Sequence, residues 1–215
     1  MFLFLFLFSQ LLSQASYAGN LEISPIRLSL DSKNQTTGIT LRNTGSSPMV
    51  IQSELMKWTK PEVYTPTREL LVNPLIFTIK AGESQVVRVG FNKLPSGFEE
   101  ERAYRLFFQE VQVAAKPEFS GLQIALRVGV PVFIPPLKPT SELTWRAVQT
   151  KSGDLRIELA NPGNMHVQVL DLDLSAASAL PSAKEAPKLV SKNVGAYLLP
   201  GQTEQWTFPL KLKDE

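Results

Sequence analysis

Few residues of this chain could do covalent chemistry. There is no cysteine, which removes disulfides, thiolate nucleophiles and thiolate metal sites together. The single histidine, His166, lies in Asn164-Met165-His166-Val167, so a multi-histidine metal site is excluded. No G-x-S-x-G elbow, glycine-rich phosphate loop or acidic cluster at metal-ligand spacing occurs. The residues therefore point to no enzyme, no cofactor and no metal centre. The pattern that does carry content is non-covalent. From Leu122 to Pro136 the chain reads LQIALRVGVPVFIPP, and every even position from Leu122 to Ile134 is a branched aliphatic. A period of two is that of a β-strand. Pro131 cannot donate a ladder hydrogen bond, so the run fits a sheet edge or a bulge. A long apolar edge strand either covers its own domain's core or pairs with another chain.

The rest of the chain supplies the elements that would position this strand. From Gly19 onward no window reads as a long helix. Strand-like runs between turn residues predict an all-β sandwich architecture. In LEISPIRLSLD the apolar parity switches, from Leu21 and Ile23 to Ile26, Leu28 and Leu30. The switch at Ser24-Pro25 predicts a kink that carries the chain from one sheet to the other, with Arg27 opposite the Ile26/Leu28/Leu30 face. Asn73-Pro74 is a candidate for a tight or cis turn. About seven strands precede residue 136, the count of an immunoglobulin-like sandwich. PPLKPTSE, residues 135–142, is a stiff proline-marked linker. A second set of strands follows, interrupted by the loop-like Ser175–Pro187. The sequence shows no internal repeat.

The N-terminal MFLFLFLFSQLLSQASYA carries no charged side chain and ends on small residues around Ser16-Tyr17-Ala18. It reads as a signal peptide over residues 1–18, too short for a comfortable membrane span; a short anchor is the competing reading. Either the start lies elsewhere or the α-amino group supplies the only positive charge near Met1. The mature chain then works outside the cytoplasm. A net charge of +2 gives no electrostatic reason to expect a nucleic-acid partner.

Several pieces occur in a telling order: ISPIRLSL, LRNTGSSPMVIQ, NPLIFTIKAGESQVVRV, ERAYRLFFQEV, LQIALRVGVPVFIPP and then ANPGNMHVQV. Together they resemble the PapD-like periplasmic chaperones of the chaperone–usher pathway, over nearly the whole mature chain. VGVPVF with Arg127 upstream is most similar to the archaic, spore-coat-protein-U-associated branch. The resemblance implies two immunoglobulin-like domains at an angle, residues 19–136 and 137–215, with a cleft between them. It implies a periplasmic carrier that binds and folds pilus subunits and delivers them to an outer-membrane usher, and that caps itself as a dimer when empty in some members.

In such chaperones the last strand of the first domain lends its aliphatics to a subunit that lacks its own final strand. Leu122, Ile124 and Leu126 match those donor positions, and Val128 extends the row. Two basic residues hold the subunit's C-terminal carboxylate. Arg27 matches the first. The second is a lysine on the donor strand, where this chain has Pro131; Arg127, on the same odd face, is the substitute, with Arg105 and Arg88 as other candidates. The alternative function is a structural or adhesive immunoglobulin-like envelope module. Glu142 to Glu215 holds about five strands where such a domain has about seven. A second domain truncated at its C-terminus is therefore expected.

Overall fold

The computed structural model describes residues 20–111, 125–175 and 188–209. Every regular element among them is a strand: β1 (Leu21–Ser24), β2 (Leu28–Ser29), β3 (Thr36–Asn43), β4 (Met49–Lys60), β5 (Val63–Pro66), β6 (Leu70–Asn73), β7 (Ile76–Ile79), β8 (Ser84–Phe91), β9 (Arg102–Glu110) and β10 (Arg127–Ile134) in the first domain; β11 (Thr144–Gln149), β12 (Leu155–Ala160), β13 (Val167–Ser175), β14 (Lys188–Leu198) and β15 (Thr203–Phe208) in the second. The chain is all-β, as its period-two patterning predicts, and forms two sandwich domains.

In the first domain one sheet has the order β1-β3-β8-β6 and the other β2-β10-β9-β4-β5, with β7 also paired to β4. Between them lies a core in which Leu41, Ile51, Tyr104, Leu106, Phe108 and Val132 are fully buried. The parity switch in the first run does what the sequence predicts. β1 pairs with β3 in one sheet and β2 with β10 in the other, and the Ser24-Pro25 bond between them is cis. Asn73-Pro74 is cis as well. Ile26 corrects the expectation: it does not join Leu28 and Leu30 in the core but is 81% exposed. Residues 25–27 bridge the sheets, and strand alternation does not extend through a segment that belongs to neither.

The second domain has a three-stranded sheet, β11-β12-β15, and a two-stranded one, β13-β14. Its described core is small, with Leu159, Val169 and Leu198 at its centre. Ser175–Pro187, read as loop, lies outside the described residues except for Ser175, which ends β13.

A feature the sequence reading passed over is built twice. Asn43 ends β3 and Asn161 follows β12, and both are buried. The amide of Asn43 donates to the Ser47 and Ile79 carbonyls, and its Oδ1 accepts from Gly45 N–H. Asn161 repeats every bond: it donates to the Met165 and Leu198 carbonyls and accepts from Gly163 N–H. The main chain repeats them too. Gly82 N–H donates to Asn43 O and Gly201 N–H to Asn161 O, while Asn43 N–H and Asn161 N–H donate to the Glu83 and Gln202 carbonyls. Gly82 and Gly201 have φ of 76° and 71°, which a glycine adopts without strain. The two domains thus share an N-x-G…G-[E/Q] knot. The shared residues are too few and too widely spaced to register as a sequence repeat.

Candidate functional site

The side of the β4–β9–β10 sheet facing away from the core carries the residues of interest, arranged in rows by the ladder. Gln52, Gln109 and Arg127 form one row, Glu54, Phe107 and Gly129 the next, and Met56, Arg105 and Pro131 the third. Phe133 and Ala103 follow, with Trp58 at the foot of β4. Their alternates, Tyr104, Leu106, Phe108, Val130, Val132 and Ile134, fill the core. Period two therefore assigns each residue its face, as the sequence predicts.

β10 changes character along its length. At Val132–Phe133 it is internal, held by β9 on one side and by parallel pairing to β2 on the other. From Arg127 to Pro131 it pairs only with β9 among the described strands, so its other edge is open there. Pro131, with no N–H to give, sits where the internal part ends. Leu122 and Ile124 lie outside the described residues. Leu126 precedes the strand; it is half-buried, and its carbonyl accepts from Glu110 N–H at 2.9 Å. The continuous strand expected from Leu122 thus begins at Arg127 among the described residues. Val128 is half-buried, and Val130, Val132 and Ile134 belong to the domain's own core.

The arginines are placed differently from one another. Arg27 is exposed, one residue before β2. Arg27 immediately precedes Leu28, the residue paired with Val132, so its backbone approaches the Pro131 end of β10 from the segment that bridges the sheets. Arg105 sits on the other flank of Pro131 in the same row. Arg105 lays its guanidinium over the Trp58 ring at 4.0 Å, with Tyr197 of the second domain at 5.7 Å, and donates to the Gly129 carbonyl. Such stacking holds a planar cation in a desolvated place. Its Nε and the Trp58 Nε1 are buried with no hydrogen-bond partner among the described residues, an uncommon state for buried donors. Arg127 is two rows away. It stacks on Phe107 at 4.0 Å and lies 3.5 Å from the Glu54 carboxylate, both partners about half exposed. Gly129 makes room for that stack, since a Cβ there would come within 2.9 Å of the Phe107 ring. Arg88 is on β8, in the opposite sheet.

The foot of this face meets the second domain. Trp58, Ala103 and Phe133 form a buried cluster with Leu199, and Tyr197 packs on it. His166 stacks on Phe133 with centroids 3.8 Å apart, and its Nδ1 lies 2.7 Å from the Glu101 carboxylate. Glu101 also accepts from His166 N–H, and its own N–H donates to the Asn164 carbonyl. The lone histidine is a structural clasp between the domains. Trp58, Glu101 and Tyr197 were not found by sequence reasoning, because contacts between residues this far apart leave no period in the sequence.

Residues 20–139 match the family model for the pili and flagellar-assembly chaperone, PapD N-terminal domain. No curated protein sequence matches the chain. Among solved structures it is similar to the chaperone in the CsuC–CsuE chaperone–tip adhesion subunit complex of the archaic Csu pili of Acinetobacter baumannii, with TM-score 0.60 and 22% identity over 91% of this chain and 90% of that one. It is similar to the YadV chaperone, with TM-score 0.61 and 21% identity over 91% and 87% of the two chains. The Salmonella enterica SafB chaperone complex with SafA pilin gives TM-score 0.61 at 12% identity, over 89% and 85%. The fold is thus shared along nearly the full length, and the matched model spans more than half of the sequence: this chain belongs to the pili and flagellar-assembly chaperones of the PapD N-terminal-domain family.

Proposed function

We propose that this protein is a periplasmic, non-enzymatic chaperone that captures pilus subunits by lending them the aliphatic segment that leads into β10, and hands them to an outer-membrane usher. Residues 1–18 are its signal peptide, 19–136 its subunit-binding domain and 137–215 its second domain. The observation that carries the reading is the half-open β10. Its upper part has an edge left unpaired by the described strands and is preceded in sequence by the aliphatic row Leu122, Ile124, Leu126 and Val128, while its lower part is anchored by β2. An incomplete sandwich needs both a ladder partner and apolar side chains at every second position, and this row supplies the two together. Each aliphatic so buried contributes roughly 1.5–3 kcal/mol. The solved complexes of similar chaperones with a tip adhesion subunit and with a pilin support the same class of partner. The open edge also suits a self-capping dimer when no subunit is bound.

Arg27 and Arg105 are the cations we assign to the subunit's terminal carboxylate. Arg105 is paired with Pro131 and Arg27 directly precedes the strand on the other side of β10, and neither has an acidic partner among the described residues. Arg127, the substitute expected from sequence, already faces Glu54. Arginine can bind a carboxylate through two parallel hydrogen bonds, and the low-profile proline between the two leaves space for the ligand.

The test is co-expression with a cognate subunit in the periplasm, followed by co-purification. Leu126→Glu should abolish capture with the chaperone still folded, because a buried carboxylate in an apolar groove is strongly unfavourable. Arg27→Ala and Arg105→Ala should each weaken capture about tenfold or more, from lost charge-assisted bonds of roughly 1.5–3 kcal/mol. Full capture by Leu126→Glu would refute the donor assignment.

A further inference from the structure

A cavity of about 240 Å³ opens beside Ile134, at the end of the first sandwich. It is separate from the outer face described above. Its walls are Phe91, Pro95, Phe98 and Ile134, and the exposed Arg68 and Lys93 stand at its rim. Among the described residues neither cation has a carboxylate within ion-pair distance.

The acid at this site is already answered. Glu69 accepts from Lys57 at 2.9 Å and from the Tyr104 hydroxyl at 2.8 Å. Burial pushes the Glu69 carboxyl up, but these two bonds together with the nearby charges of Lys57 and Arg102 outweigh it and hold the group below the usual glutamate range. Burial and the adjacent Glu69 hold the Tyr104 phenol well above the usual tyrosine range, so it stays a donor. The lining is therefore an apolar floor, a carboxylate already paired with Lys57, and two cations with no carboxylate partner among the described residues.

We propose that this cavity binds a small amphipathic monocarboxylate, its apolar body against Phe91, Phe98 and Ile134 and its anionic head between Arg68 and Lys93. Charge complementarity selects the head group. The volume selects the body: it equals about eight water volumes at roughly 30 Å³ each, room for a phenyl ring on a short stem. Apolar walls with a few placed charges are the usual composition of small-molecule sites. A second cavity shares Phe91, Pro95, Phe98 and Ile134 and reaches Pro135, Pro136 and Leu137 of the linker. A bound ligand thus touches a wall common to the core and the linker.

The test is a titration of the isotope-labelled full mature protein, followed by backbone amide shifts, with three probes: phenylacetate, its neutral isostere phenylacetamide, and inorganic phosphate. Phenylacetate should give saturable shifts at Phe91, Phe98 and Tyr104. Phenylacetamide should bind about tenfold more weakly, and phosphate should not saturate. Arg68→Gln and Lys93→Gln, both at exposed sites, should each weaken phenylacetate about fivefold or more with an unchanged melting temperature. Equal binding of acid and amide would overturn the assignment, since an anion site must discriminate between them. Saturation by phosphate at the same residues, absence of saturable shifts, or indifference to both substitutions would overturn it too.

Discussion

The two domains tie the same knot around very different cores. Asn43 and Asn161 make matching sets of bonds, each closing a β-turn against the neighbouring strand end. Yet behind Asn43 lies a continuous core through two sheets, and behind Asn161 lies a cluster centred on Leu159, Val169 and Leu198. β11 is exposed along its whole length, with Trp145 62% accessible. The comparison separates two contributions that usually come together. Hydrogen-bond knots fix how a turn closes, whereas apolar burial decides how firmly the closed turn is kept.

The largest expected effect comes from cutting each knot in turn. Asn43→Ala or Asn161→Ala removes three side-chain hydrogen bonds in buried or part-buried surroundings. At about 1 kcal/mol per bond the loss is roughly 3 kcal/mol in either case. The consequences should differ. Asn43→Ala should lower the first domain's transition by several degrees and leave it cooperative. Asn161→Ala should detach the second domain, giving an early transition seen by Trp145 and Trp206 fluorescence while the first domain stays folded. A single transition shifted equally by both variants would show that the domains unfold as one unit and that the contrast in cores has no consequence.

A smaller effect should come from loosening what joins the domains. Glu101 is nearly inaccessible, with 1% of its side chain exposed, and holds both the ring and the main chain of His166. Glu101→Gln keeps the shape but gives up charge assistance, at a cost of about 1–2 kcal/mol. Small-angle scattering should show a wider spread of interdomain arrangements, and the second domain's transition should fall while the first domain's holds. If the scattering profile is unchanged, Phe133, Trp58, Leu199 and Tyr197 hold the junction without the clasp.

Much of this was legible in the sequence, for reasons that can be traced to single residues. The aliphatics at every second position from Val128 to Ile134 assign the faces of β10, and the parity switch at Ser24-Pro25 locates the crossing between sheets. Both follow from geometry local to a strand. The character of each arginine did not. Arg27, Arg105 and Arg127 all read as outward-facing strand cations; only Trp58, Tyr197 and Glu54, distant in sequence, distinguish them. Ile26 misled because alternation predicts a face only where a sheet exists to define one. The paired knots were missed because two asparagines 118 positions apart (161 − 43) share too little surrounding sequence to declare themselves.

The contrast between buried and exposed support recurs within one sheet, and there the smallest effect is expected. Arg127 on β10 and Glu54 on β4 are 48% and 51% exposed and 3.5 Å apart, reaching towards each other across β9 on the outer face. Solvent screens such a pair, and ordering two long side chains offsets much of what remains, so its contribution should be about 0.2–1 kcal/mol. Stacking on Phe107 adds to this only modestly at an exposed position. Arg127→Ala should therefore leave the melting temperature within about two degrees of the parent, and a double-mutant cycle with Glu54→Ala should give a coupling that shrinks further in high salt. The same substitution distinguishes the two readings of the carboxylate anchor. If Arg105 is the second cation, Arg127→Ala changes subunit capture by no more than about threefold, against about tenfold for Arg105→Ala. A reversal of that order would move the anchor two rows up the sheet and would mean that Glu54 must surrender its partner when a subunit binds.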